Sequence, residues 1–216
     1  MIKGVVFDLD GTLANSIEDL ADSMNAVLKE KKFPTHDYAT FKTYVGRGLQ
    51  SMVKNALPES SSDEATLKEC FDKMMELYDK NCINKTCLYP GIPELLTALQ
   101  KKGIKIAVFS NKANELTQKV VQDLLADWPL ALVIGAGGDI PRKPDAKGAL
   151  LISEKMGFTP EEIIYVGDSG VDMQTAHNAG MYAAGVLWGF RDMEELLENG
   201  AQTLVENPMD LLESFN

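Results

Sequence analysis

The sequence predicts an α/β protein in which a parallel sheet is covered on both faces by helices and is interrupted once by an all-helical insert. Three observations carry this. First, the runs GVVFDL (4–9), IKIAVFS (104–110), LALVIG (130–135), EIIYVGD (162–168) and MYAAGVLW (181–188) are short and almost continuously apolar, the pattern of strands buried on both faces. Second, amphipathic segments near 91–102, 112–126, 145–157, 170–179 and 191–199 fill the gaps between them, and strands alternating with helices build βαβ units. Third, no strand pattern breaks the helical one from about 15 to 87.

Taken in chain order, the first apolar run ends on two aspartates and a glycine, VVFDLDGT (5–12). The insert opens with SIEDLADSMNAVLKEKKF, which sets Ile17, Leu20, Met24, Val27 and Leu28 on one helical stripe. YVGRGLQSM (44–52) reads as a joint between two helices, with Arg47 held between glycines, and SSSDEAT (60–66) as a loop leading to a helix N-cap. At LYPGIPELL (88–96) a Pro-Gly turn restarts a helix. The division expected is a core of 1–14 and 88–216 and a helical domain of 15–87. A short last strand is expected near 203–205.

The net charge of −11 argues against non-specific binding to nucleic acid or to an anionic membrane. An anionic substrate would meet the same repulsion, so its site must be made locally by lysine, arginine, backbone amides or a metal ion. No apolar run approaches the roughly 20 residues of a membrane helix, and MIKGVVFDLD reaches acids too early for a secretory signal. Cys70, Cys82 and Cys87 have neither zinc nor CxxC spacing. They read as reduced thiols, and the protein as cytoplasmic. His36 and His177 belong to no triad pattern and read as structural or surface residues.

Ligands of open parallel sheets sit beyond the carboxyl ends of the strands. Asp8 and Asp10 follow the first strand, Ser110, Asn111 and Lys112 the second, Lys143 the third, and Asp168, Ser169 and Asp172 the fourth. Residues i and i+2 of an extended chain face one side, so one of Asp8 and Asp10 can attack an electrophile while the other protonates a leaving group and later activates water. Asp168 beside Asp172 makes a hard oxygen site suited to magnesium, although Asp168 or Ser169 would also serve as a helix N-cap and Asp172 as a first-turn acid that complements the helix dipole. FSNK (109–112) offers a hydroxyl and fresh helix amides to an anion, with Lys112 itself read as a solvated surface residue. Lys143, in RKPD (142–145), can hold a phosphate as a point charge. Together these residues suit phosphoryl transfer, where catalysis is mostly positioning and charge neutralisation.

DLDGT, SN, KP and GDSGVD, in that order, resemble the four motifs of the haloacid dehalogenase-like superfamily, and the helical insert resembles the cap of its phosphoglycolate phosphatase-like branch. The resemblance implies a Rossmann-like core with a mobile cap, a Mg²⁺ ion, and a phosphomonoester hydrolase that carries a phosphoryl group on aspartate. It implies Asp8 as nucleophile and Asp10 as general acid and base. Asp8, the Asp10 carbonyl and Asp168 would hold Mg²⁺, with Asp172 and Ser169 in support. Ser110, Asn111 and Lys143 would bind the phosphoryl group. The substrate would be a small phosphorylated metabolite, phosphoglycolate first, and Arg47 on the cap could grip its carboxylate in bidentate fashion. A phosphomutase of the same superfamily and a non-catalytic binder of phosphorylated ligands are the alternatives. KPDA replaces the KPxP of close relatives, with the lysine intact.

Overall fold

The computed structural model describes residues 1–61 and 63–215. The chain begins with β1 (Gly4–Phe7) and β2 (Ala14–Asn15) and enters the helices α1 (Ile17–Glu30), α2 (Tyr38–Tyr44), α3 (Leu49–Ala56) and α4 (Glu64–Asn81). It returns through β3 (Cys87–Leu88) to α5 (Ile92–Lys101), β4 (Lys105–Ala113), α6 (Asn114–Leu124) and β5 (Leu130–Ala136). The remaining elements are α7 (Lys147–Met156), β6 (Ile163–Gly167), α8 (Gly170–Ala179), β7 (Tyr182–Val186), α9 (Met193–Glu198) and β8 (Thr203–Val205).

Six strands form one sheet in the order β5-β4-β1-β6-β7-β8, and every pairing in it is parallel. Alternation along the strands explains the apolar runs. Val5 and Phe7 of β1, Ile106 and Val108 of β4, and Ile164 and Val166 of β6 join one core with α5 and α6. Their neighbours Val6, Ala107, Phe109, Ile163 and Tyr165 join a second core with α7 and α8 on the opposite face. Both faces are covered, so neither alternate position can be polar. This is the doubly wound fold expected.

The stripe on α1 is buried as expected: Ile17, Leu20, Met24, Val27 and Leu28 enter the same core as β1 and β4, together with Met74 and Tyr78 of α4. The segment 15–87 is not helical to its ends, however. β2 and β3 pair antiparallel, Ala14 with Leu88 and Asn15 with Cys87, and so tie the outgoing and returning chains together. Two-residue strands carry no readable periodicity. Buried Asp19 of α1 reinforces the tie by accepting from Lys85 N, Thr86 N and the Thr86 hydroxyl. The loop expected over 60–66 contains Ser62, which lies outside the described residues. Beyond it, the Asp63 carboxylate caps α4 by accepting from Thr66 N at 3.0 Å.

Candidate active site

β1 ends at Phe7, and Asp8 remains at the sheet edge because its N–H donates to Val166 O at 2.9 Å. The chain then folds back on itself, with Leu13 N and Ala14 N both donating to Leu9 O. Gly11 makes this possible. Its φ is +89°, and a Cβ there would stand 2.3 Å from Asp168 Oδ2, so a side chain is excluded both by conformation and by space.

Asp8, Asp168 and Asp172 are all buried and bring carboxylate oxygens within 4.8 Å of one another. Each is held from a different direction. Asp168 Oδ1 accepts from the Thr12 hydroxyl at 3.0 Å and Oδ2 from Phe190 N at 2.8 Å. Asp172 Oδ2 accepts from Ser169 Oγ at 2.6 Å and from Ser169 N at 3.1 Å, a capping box at the start of α8. Asp172 Oδ1 accepts from Lys143 Nζ at 2.6 Å. The capping residues of α8 thus lie against Lys143 as well, through Asp172. Lys143 Nζ also lies 2.8 Å from Asp8 Oδ1, an ion-pair distance, yet that buried oxygen receives no well-directed hydrogen bond among the described residues.

The electrostatics follow from this crowding. Burial raises Asp8 well above the usual carboxylate range; Lys143 opposes the shift, and Asp172 and Asp168 add to it. Burial, then the Asp172 charge, pushes Asp168 up to about 7, against the hydrogen bonds from Phe190 and Thr12. Burial alone would lower the Lys143 ammonium, but Asp172 and Asp8 outweigh it and hold it well above the ordinary lysine value. Three clustered acids with one shared lysine and an oxygen lacking a donor fit a divalent cation with oxygen ligands.

Lys143 is positioned through Asn111. The Lys143 N–H donates to Asn111 Oδ1 at 2.7 Å, and Asn111 Nδ2 donates to Lys143 O at 3.2 Å and to Gly46 O at 3.0 Å. The Asn111 side chain thus joins two strand ends and the α2–α3 loop. Ser110 is buried, and its Oγ accepts from Lys112 N at 3.2 Å. The helix amides expected at 111–112 belong further on. β4 continues to Ala113, which pairs with Ala136 after an irregularity in register, and α6 starts only at Asn114.

Lys112 is not the solvated residue its sequence context suggests. Its side chain is 1% exposed, and Nζ lies 3.0 Å from Asp10 Oδ1 and 2.6 Å from the Tyr78 hydroxyl. Asp10 Oδ1 also accepts from Ser16 Oγ at 2.6 Å. Burial alone would lower Lys112; Asp10 and Tyr78 reverse this and leave it raised. Sequence reasoning missed both Lys112 and Tyr78. The available signal for Tyr78 was its place after Cys70 and Met74 on the buried stripe of α4, which reads equally well as plain core.

Asp8, Asp10, Ser110, Asn111 and Lys112 line one narrow cavity of about 30 Å³, roofed from the insert by Leu49, Met52, Gly46 and Gly48. Arg47 is exposed, and its side chain lines an adjoining polar cavity with Arg191 and the start of α8. His36 contacts Ala56 O and packs edge-on against Phe41 and Tyr44, a structural role, and His177 is exposed.

The fold and the acids, lysine and hydroxyl gathered beyond its strand ends define the class, a doubly wound parallel-sheet protein with an acid-rich site beneath an inserted helical roof. More particularly, the chain belongs to the haloacid dehalogenase-like hydrolases, whose family model matches residues 5–186, as the four motifs imply. The phosphoglycolate phosphatase of Mannheimia succiniciproducens is 33% identical over 220 residues, covering 97% of this chain and 96% of that protein. That of Aquifex aeolicus is 33% identical over 189 residues, covering 88% of this chain and 86% of the other. The crystal structure of a predicted phosphoglycolate phosphatase from Haemophilus somnus has a TM-score of 0.92 at 28% identity, covering 100% of this chain and 98% of that chain.

Proposed function

We propose that this protein is a Mg²⁺-dependent phosphomonoester hydrolase of a small phosphorylated metabolite, with Asp8 carrying the phosphoryl group. The observation that carries the reading is Asp8 itself, a carboxylate buried beside Asp168, Asp172 and Lys143 with one oxygen lacking a directed donor. Asp8 and Asp168, with the Asp10 carbonyl, would hold Mg²⁺, which neutralises charge on the phosphoryl oxygens and on the acids. Asp172 has both oxygens engaged, by Lys143 and Ser169, and so serves by holding Lys143. Lys143, the Ser110 hydroxyl and the Asn111 backbone grip the phosphoryl group.

The chemistry runs in two displacements. An Asp8 oxygen attacks phosphorus, the ester P–O bond breaks, and Asp10 gives its proton to the departing oxygen. Asp10 then takes a proton from water as the water oxygen attacks the aspartyl phosphate, which releases inorganic phosphate and restores Asp8. The helices of 15–87 act as a cap, and the narrowness of the cavity beneath them supports a cap that moves to admit substrate.

The names of the relatives support phosphoglycolate as the first substrate. For its carboxylate we assign Arg47, since the glycines flanking it line the cavity. No helix among the described residues is long and apolar enough to cross a membrane, and the unbridged Cys70, Cys82 and Cys87 suit a reducing cytoplasm. The test is a screen of purified protein against phosphorylated metabolites with and without Mg²⁺. Phosphate release is expected only with Mg²⁺ and at no more than a few per cent of the wild-type rate in Asp8→Asn. A sugar phosphate isomerised many times per phosphate released would make the protein a mutase instead.

A further inference from the structure

We propose that Tyr78, on the helical insert, is a positioning residue for Asp10: its hydroxyl holds Lys112 against the Asp10 carboxylate, so the general acid is set only when the insert lies over the sheet. The inference rests on the reading of Asp10 as general acid and base given above. Tyr78 belongs to α4 and Lys112 to β4, 34 positions apart in sequence. The hydroxyl lies 2.6 Å from Nζ, and the Tyr78 ring lies 4.6 Å from it, so the phenol both bonds and shelves the ammonium. Nζ reaches Asp10 Oδ1 at 3.0 Å, where Ser16 Oγ also arrives at 2.6 Å. Both contacts fall on Oδ1, which leaves Oδ2 to carry the proton to the leaving oxygen. A buried lysine with partners from two elements has few alternative positions, and reacting groups displaced by about 1 Å can lose on the order of a hundredfold in rate.

When the Asp8 oxygen–phosphorus bond forms and the ester P–O bond breaks, phenolate needs the Asp10 proton far more than the less basic nitrophenolate does. The test compares kcat/KM, which reports steps through loss of the leaving group, for phenyl phosphate and p-nitrophenyl phosphate. Tyr78→Phe keeps the ring and removes only the hydroxyl. Its kcat/KM for phenyl phosphate should fall about fivefold more than that for p-nitrophenyl phosphate. Lys112→Met, which fills much the same space but takes the ammonium away from Asp10, should discriminate in the same direction. Because Tyr78 acts through Lys112, the double variant should be no worse than Lys112→Met alone. Equal losses on both esters, or losses that multiply in the double variant, would mean that Tyr78 only packs the cap, and would overturn the inference. Asp10→Asn separates the two levels. If it discriminates between the esters and Tyr78→Phe does not, this inference alone fails. If it does not discriminate, the reading of Asp10 fails and the inference with it.

Discussion

Asp168 is buried among like charges, and its carboxyl, ordinarily near about 4, is pushed up to about 7 by burial and the Asp172 charge. A carboxyl raised in the fold binds its proton more tightly folded than unfolded. The stability it contributes is therefore fully present below about pH 4 and is lost as pH rises to about 7. Asp8 shifts in the same direction. A divalent cation among these oxygens would reverse the penalty, since it favours the ionised forms. Thermal unfolding in EDTA and in Mg²⁺ checks this: the Mg²⁺-induced rise in Tm should be larger near about pH 8 than near about pH 5. An equal rise at both pH values, or none, would contradict the assignment of the acids to a metal. Asp8, Asp168, Asp172 and Lys143 were legible in the sequence because each follows an apolar strand, where a charge calls for an explanation. Lys112 was not, because its burial depends on Asp10 and Tyr78, and no local pattern brings those three together.

Among the elements, α2 shows how the insert is fastened to the sheet domain. Its N-terminus is capped by Asp37, whose carboxylate accepts from Thr40 N at 2.8 Å. Its C-terminal carbonyls, which a helix cannot satisfy alone, are taken up by Arg191 from the chain between β7 and α9. The guanidinium donates to Lys42 O, to Thr43 O at 3.2 Å and to Val45 O at 2.6 Å, while Nε lies 3.2 Å from Glu195 Oε2. Charged hydrogen bonds of this kind contribute roughly 1.5–3 kcal/mol each when well made. Arg191→Ala should therefore speed amide hydrogen exchange across 42–48 while β1 and β6 stay protected. Unchanged exchange over 42–48 would show that the roof is held by apolar packing alone. The six parallel strands were readable because burial on both faces leaves a continuous apolar signature. The β2–β3 ribbon and the late start of α6 were not, since they are decided by pairings, Asn15 with Cys87 and Ala113 with Ala136, that leave no mark on local composition.

The whole molecule carries a net charge of −11 and, on this account, must admit an anion. Lys143 and Lys112 at the site are buried and already paired with Asp8, Asp172 and Asp10, so they add little to the outer field, which the net charge keeps repulsive despite exposed Arg47. Screening should therefore help: at fixed Mg²⁺, kcat/KM for an anionic phosphate ester should rise as KCl goes from about 0.01 to about 0.15 M. A fall would point to steering by a local positive patch. The doubly wound architecture brings separate strand ends to one edge, and the proposed chemistry turns on Asp8 there. The most direct measurement is rapid acid quenching during turnover, followed by peptide mapping by mass spectrometry. A phosphoryl group is expected on Asp8, within the peptide that carries VVFDLDGT. A phosphoryl group on any other residue, or sustained turnover with Asp8 never modified, would contradict it.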